Sequence, residues 1–337
     1  MTGQMRFTYI DIAKAIGIYL VILGHVVSGG TPLKTFLYAF HMPLFFILTG
    51  MTYRWPSDNN WLTISERLTR YAGRLLIPYI LFALIYSELS FPNLVYIGYS
   101  SRHTLKLAGA LSSLWFLMAL FMSHVYLLVL FKVLPKKYIS NPFVLLLAAI
   151  FLLAIGVLLP HGGKYGYPWM INVAFVGSVF ILIGILLCRW NDKYLKLSLL
   201  KKLFILLITV SLFIVTIPIN NPSPGYVVMA DAHYGNVAIF AMTAIFGSVS
   251  VIMFSQIMDV FLSQLSFVMW IGKNTLGIFL VHKFFVSGLK AVLIRMGIDY
   301  NNIAIACASS VLVLIISCVV VVAINRFIPF LLHYEKR

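Results

Sequence analysis

The chain has 337 residues, of which 61% are hydrophobic and 10% charged, and it carries a formal net charge of +16 at pH 7. A soluble domain has about 25% charged residues, so this composition excludes an ordinary soluble fold. The positive charge does not indicate nucleic-acid binding. Lys and Arg cluster beside hydrophobic runs, where they set orientation and meet anionic lipid headgroups.

The hydrophobic runs are long enough to cross a bilayer, whose core is spanned by about 20 helical residues. We therefore expect an all-α, polytopic membrane bundle of about ten transmembrane helices, forming a single domain over residues 1–337. The predicted spans are residues 9–27, 33–53, 75–89, 114–131, 143–159, 170–188, 203–219, 237–257, 275–293 and 303–324.

The distribution of positive residues predicts how these spans are oriented. With the N-terminus in the cytoplasm, seventeen of the 25 Lys and Arg residues fall on the cytoplasmic side and six on the opposite side. The positive-inside rule then places both termini in the cytoplasm. The first run contains Asp11 and Lys14 and has no evident small-residue cleavage site, so we expect it to remain in the mature protein.

Three ionisable residues lie inside the first span, where each needs a partner, a wet cavity or a function. At 100° per residue, Asp11, Lys14 and His25 project to about 0°, −60° and −40°, on one face of the helix. Asp11 and Lys14 fit either an interfacial ion pair or a functional site near the inner surface. His25, in the outer half, fits either a hydrogen-bonded core residue or a group that transfers protons.

Two further histidines lie at intermediate depth in other spans. His41 enters the second span from the outer side, beside Pro43, which should loosen the helix there. His282 lies in the ninth span, next to Lys283. Convergence of these histidines with His25 is plausible. We do not expect a metal site, because no carboxylate or cysteine accompanies them at ligand spacing.

Arginines form a stripe before the third span. Arg67, Arg70 and Arg74 are spaced i, i+3 and i+7, and so share one face of a helix. Guanidinium groups at the cytosolic surface suit phosphate, which arginine holds through two parallel hydrogen bonds. The alternative is that the stripe serves only membrane topology and contact with lipid headgroups.

At these residues the chain resembles a known family, the acyltransferase-3 membrane O-acyltransferases, and most of all its fucose 4-O-acetylase branch. The resemblance is spread over most of the chain, although residues 143–213 contribute little beyond hydrophobicity. It is carried by DIAKAIGIYLVILGH at 11–25, FHMPLFFILTG at 40–50, RLLIPY at 74–79, LWFL at 114–117 and LGIFLVH at 276–282.

The resemblance implies transfer of an acyl group, usually acetyl, from cytosolic acyl-CoA to a hydroxyl of a carbohydrate or lipid-linked glycan at the outer side of the bacterial inner membrane. Acetyl-CoA would then be a substrate, and no tightly bound cofactor is expected. The implied catalytic residues are His25 and Asp11; the implied acyl-CoA ligands are Lys14, Arg67, Arg70 and Arg74; and the implied acceptor-binding residues are His41, Trp115 and His282.

Two departures from the family pattern concern acyl-CoA binding. Many members have Arg where Lys14 stands. The spacing from Arg74 to Pro78 also differs from the commoner form, so the family's arginine pair falls on either Arg67 and Arg70 or Arg70 and Arg74.

The residues support the same chemistry without the resemblance. Acyl transfer to a sugar hydroxyl needs a base and groups that stabilise the developing oxyanion, and His25 is the obvious base. No Gly-x-Ser-x-Gly motif occurs in a suitable context, which favours direct transfer over an acyl-serine; an acyl-histidine stays open.

Two other functions compete with this interpretation. The first is a polysaccharide exporter or flippase without acyl-transfer activity, in which buried histidines relay protons or bind sugar. The second is a non-enzymatic sensor or scaffold, which the lack of a soluble effector domain disfavours.

Overall fold

The computed structural model describes residues 7–53, 61–109, 112–159, 162–220 and 227–332. In these ranges the chain is almost entirely helical, and its one β feature is an isolated bridge between Val228 and His233. The helices are α1 Thr8–Val26, α2 Pro32–Tyr38, α3 His41–Met51, α4 Trp61–Tyr71, α5 Ile77–Tyr86, α6 Phe91–Tyr99, α7 Arg102–Leu107, α8 Trp115–Val133, α9 Lys136–Ile139, α10 Pro142–Leu158, α11 Ile171–Arg189, α12 Asn191–Leu195, α13 Leu199–Asn220, α14 Val237–Leu262, α15 Ser266–Lys273, α16 Thr275–Arg295 and α17 Ile303–Phe327.

The predicted polytopic helical bundle is confirmed. Among the described residues, nine helical stretches are at least 18 residues long and apolar enough to cross a membrane. A tenth, α10, is apolar but shorter, at 17 residues. Each of the ten predicted spans coincides with one of these stretches.

The second span is broken in the way that its proline predicts. Pro43 has no N–H to donate to the carbonyl of Ala39, four residues earlier. The helix is interrupted at Ala39 and Phe40, and α3 restarts at His41. The break therefore places His41 at the first position of a new helix.

The third span begins earlier than predicted. Residues 61–86 form one helical stretch, in which a π-helical turn, Ala72–Leu76, joins α4 to α5. Pro78 explains the turn, because it has no N–H for the carbonyl of Arg74 and π-helical turns accommodate such mismatches. The arginine stripe is therefore part of the span and not of a preceding loop. Arg54 and Trp55 lie outside the described residues.

The chain divides into two compact units that alternate along the sequence. The first comprises Met1–Leu48, Arg189–Val227 and Tyr234–Val322, and the second comprises Thr49–Cys188, Val228–His233 and Ala323–Arg337.

In the first unit, α1 is the central helix and packs against α14, α15 and α16. Gly272 of α15 lies so close to α1 that a Cβ there would overlap the Asp11 carbonyl. Tyr9 anchors the beginning of α1, because its hydroxyl donates a buried hydrogen bond to Asn191 Oδ1 at 2.5 Å. These contacts leave α1 little freedom to shift.

In the second unit, α8 packs against α11 and against the α4 stretch. Ser123 Oγ of α8 donates to the Ala174 carbonyl of α11 at 2.8 Å. At one end of this unit, Arg102 of α7 forms an ion pair with Asp231. Burial, together with the charges of Lys106 and Arg102, lowers the pKa of the neighbouring His103. These contacts join α8 to α11 and α7 to the segment that contains Asp231.

Candidate functional site

The first unit brings two of the predicted histidines together. His25 in the last turn of α1 and His282 in α16 have ring centroids 5.3 Å apart and planes inclined at 39°. His282 is fully buried, whereas His25 keeps some accessible surface. The pair results from packing of α1 against α16, whose histidines are more than 250 residues apart in the chain.

Backbone carbonyls set the tautomers of two of the histidines. Nδ1 of His41 lies 2.6 Å from the Leu37 carbonyl, and Nδ1 of His282 lies 2.7 Å from the Phe279 carbonyl. Because a carbonyl only accepts, both Nδ1 atoms donate, and Nε2 of the neutral ring is left as an acceptor. Nε2 of His282 is buried and has no hydrogen-bond partner among the described residues.

His41 lies near this pair at longer range, so the three histidines, whose convergence the sequence left open, occupy one region of this unit. Its ring meets the edge of Tyr38 with a centroid distance of 4.8 Å, and it interacts electrostatically with His25. Within the described residues, no group of three His, Cys, Asp or Glu side chains is arranged to hold a metal ion.

Two lysines interact with the histidine cluster formed by His25, His41 and His282. Lys34 and Lys283 both interact electrostatically with His25. The Lys34 ammonium donates to the Val27 carbonyl at 3.1 Å and lies 4.9 Å from the centre of the Tyr38 ring. Cations beside an imidazole suit a reaction in which negative charge develops on an oxygen.

The end of α1 that carries His25 is held by the segment before α17. The Ser28 N–H donates to Asn301 Oδ1 at 2.9 Å, and the Ser28 hydroxyl donates to the Tyr300 hydroxyl at 3.2 Å. The Lys290 ammonium lies 4.4 Å from the centre of the Tyr300 ring. Because Ser28 is three residues beyond His25, these contacts hold the end of α1 that carries the imidazole.

The second unit contains a cavity of about 440 Å³, within the usual range for small-ligand sites. All three predicted arginines line it, so the stripe does face one side. The assignment of the family's arginine pair to Arg67 and Arg70 or to Arg70 and Arg74 stays a prediction. The lining residues are Thr49, Thr52, Tyr53, Arg67, Arg70, Tyr71, Arg74, Leu75, Leu120 and His124. We call this space the arginine cavity.

Aromatic rings form one wall of the arginine cavity. Tyr71 stacks on His124 with ring centroids 3.9 Å apart and planes inclined at 8°. Tyr53 lies nearly parallel to His124 at 6.1 Å. The Arg67 guanidinium interacts electrostatically with both tyrosines, so positive charge lies beside the aromatic wall.

Sequence analysis missed His124. It lies in the middle of an apolar span. An ionisable group inside the membrane needs a partner, a wet cavity or a function, and this rule, applied above to the other histidines, would have identified His124 as well. Tyr53 and Tyr71 carried no such indication, because tyrosines are common near span ends.

Three predicted residues remain, and each is described within its own unit. Asp11 is buried in the first turn of α1, and Lys14 is half-buried one turn later. Fourteen residues separate Asp11 from His25, about 21 Å of helical rise, so their side chains do not meet. Trp115 is buried at the beginning of α8 in the second unit and does not line the arginine cavity. The roles of these three residues stay predictions.

Comparison with known proteins identifies the family. The family model described as an acyltransferase domain, that of the acyltransferase-3 family, matches residues 7–322. No curated protein and no solved structure matches the chain significantly. The matched region contains both the histidine cluster and the arginine cavity, and it covers nearly the whole sequence. The chain therefore belongs to the acyltransferase-3 family of membrane acyltransferases.

Proposed function

We propose that this acyltransferase moves an acetyl group from cytosolic acetyl-CoA to a hydroxyl of a carbohydrate or lipid-linked glycan at the outer side of a bacterial inner membrane. The observation that carries the proposal is the arginine cavity, found in a chain whose family transfers acyl groups. Both termini would then lie in the cytoplasm. Membership of the fucose 4-O-acetylase branch stays a prediction.

The chemistry of the arginine cavity supports acyl-CoA as the donor. Coenzyme A carries a diphosphate and a 3′-phosphate, and arginine binds such groups through paired, charge-assisted hydrogen bonds. Arg67, Arg70 and Arg74 present three guanidinium groups to one space. Lys14, near the beginning of α1, is proposed as a further cationic ligand of acyl-CoA.

The histidine cluster supports His25 as the base. In the transfer step, the acceptor hydroxyl oxygen attacks the thioester carbonyl while His25 takes the hydroxyl proton. The carbon–sulfur bond then breaks, and the proton passes to the departing CoA thiolate. Lys34 and Lys283, whose charges act on His25, are proposed to stabilise the oxyanion formed between these two events.

His41, His282 and Trp115 are proposed to bind the acceptor. The Nε2 acceptor of His282 would receive a hydrogen bond from a sugar hydroxyl and so orient it toward His25. The Trp115 ring would contribute an apolar face to the sugar. Asp11 lies too far from His25 to touch it, so its proposed contribution is confined to the inner end of α1.

The direct test uses purified protein in lipid nanodiscs with acetyl-CoA and a panel of glycans. Acceptor glycan that gains the mass of one acetyl group, with stoichiometric release of CoA, is the expected product. Transport of glycan without acetyl-CoA consumption would contradict the proposal and favour the exporter.

A further inference from the structure

The arginine cavity is lined by one histidine from the middle of a span. His124 is the tenth residue of α8, so helical rise places it about 13 Å from either end of that helix, near the middle of the span. Leu120, one turn away, and Leu75, directly after Arg74, line the cavity with it. Around His124 the cavity is therefore lined by two leucine side chains and by the rings of Tyr53 and Tyr71.

The His124 imidazole is buried and incompletely hydrogen-bonded. The His124 side chain is only 5% exposed, and its Nδ1 has no hydrogen-bond partner among the described residues. A buried polar atom left unpaired is unfavourable, so this nitrogen is available to hydrogen-bond a ligand in the cavity. The stack on Tyr71 holds the ring in place but satisfies neither nitrogen.

We propose that His124 hydrogen-bonds an amide of the acyl-pantetheine arm and thereby selects a pantetheine-bearing nucleotide over a plain adenosine phosphate. The arm is slender and largely apolar, with two amides that each offer one donor and one acceptor, which complements leucine walls and a single imidazole. The inference rests on the proposed function, because it assumes that the arginines hold the phosphates of acyl-CoA.

The test compares coenzyme A with a ligand that lacks the pantetheine arm and the second 5′-phosphate through which the arm is attached. Coenzyme A and adenosine 3′,5′-bisphosphate are titrated separately into the full chain in nanodiscs by calorimetry. His124→Phe keeps an aromatic ring for Tyr71 but removes both nitrogens. It should weaken coenzyme A about three- to tenfold, the loss of one hydrogen bond, and leave the bisphosphate within about twofold.

A second variant separates hydrogen bonding from stacking. His124→Gln keeps polar atoms but no ring, and it should retain coenzyme A binding better than His124→Phe does. If stacking alone mattered, the order of the two variants would reverse. Tyr126→Phe is the matched control, since it removes a hydroxyl from the same helix outside the cavity and should change neither affinity.

The outcomes distinguish this inference from the function beneath it. Equal loss of both ligands in His124→Phe, or loss of neither, would overturn the role of His124 while leaving acyl-CoA use intact. Failure of the wild-type protein to bind coenzyme A would instead overturn the proposed function, and this inference with it. Arg70→Ala should weaken both ligands together.

Discussion

Among single residues, His25 combines partial exposure with a second imidazole at 5.3 Å and the charges of two lysines. We predict that His25→Ala remains folded but loses transfer by roughly 10² to 10⁴-fold, the usual contribution of a general base. Product formation under saturating acetyl-CoA measures this. The control is His103→Ala, a half-exposed histidine of α7. Wild-type turnover in a folded His25→Ala protein would remove His25 from the mechanism.

Replacement of His282 should affect use of the acceptor and not binding of acyl-CoA. Its Nδ1 donates to the Phe279 carbonyl, which leaves Nε2 as an acceptor for a sugar hydroxyl. His282→Ala should lower kcat or raise KM for the acceptor by about tenfold, with KM for acyl-CoA unchanged, as expected for loss of one hydrogen bond to the acceptor. His282→Gln should recover part of this loss, since its terminal amide offers an acceptor near the position of Nε2. A selective change in KM for acyl-CoA would contradict the assignment.

At the scale of elements, the π-helical turn between α4 and α5 accompanies the placement of Arg74 in the same cavity as Arg67 and Arg70. We predict that Arg70→Ala raises KM for acyl-CoA by about tenfold or more with little change in kcat, because phosphate contacts act equally in ground and transition states. Arg70→Lys should restore activity only in part.

Removal of a positive charge also alters membrane topology, so this prediction needs a control for charge alone. Lys137→Ala deletes an exposed cation in α9, outside the arginine cavity, and should leave KM unchanged. Equal kinetics in Arg70→Ala and the wild type would show that the arginines serve topology and lipid contact only.

Packing of α15 on α1 gives a second prediction at this scale. Gly272→Ala should destabilise the protein by about 1 to 3 kcal/mol, because the added methyl group would overlap the Asp11 carbonyl and neither helix backbone yields easily. Thermal unfolding in detergent measures the change. Gly288→Ala, in α16, has open space around the new Cβ and should be neutral or slightly stabilising.

For the whole molecule, the decisive prediction is sidedness. Sealed vesicles of known orientation should consume acetyl-CoA only from the face that carries Arg67, Arg70 and Arg74, and acetylated glycan should accumulate on the other face. The reason is that a donor held by cytosolic arginines and an acceptor at the outer mouth meet inside the membrane without either crossing it. Equal use of acetyl-CoA from both faces, or glycan transfer without it, would contradict the mechanism.

Hydropathy and span length were sufficient to predict the polytopic helical bundle, because both depend only on local sequence and on bilayer thickness. The break before His41 was also readable, since the missing N–H of Pro43 acts within one helical turn. The third span was misjudged because Arg67 and Arg70 interrupt the apolar pattern, although the helix continues through them.

Only the tertiary structure decided which polar residues meet. In lipid, buried and lipid-facing sides of a helix are both apolar, so no periodicity indicates that α1 packs against α16 and brings His25 to His282. For the same reason the stack of Tyr71 on His124 could not be predicted from the sequence. The sequence determined the helices and the types of side chain available, whereas shape complementarity between helices selected the contacts that make the two sites.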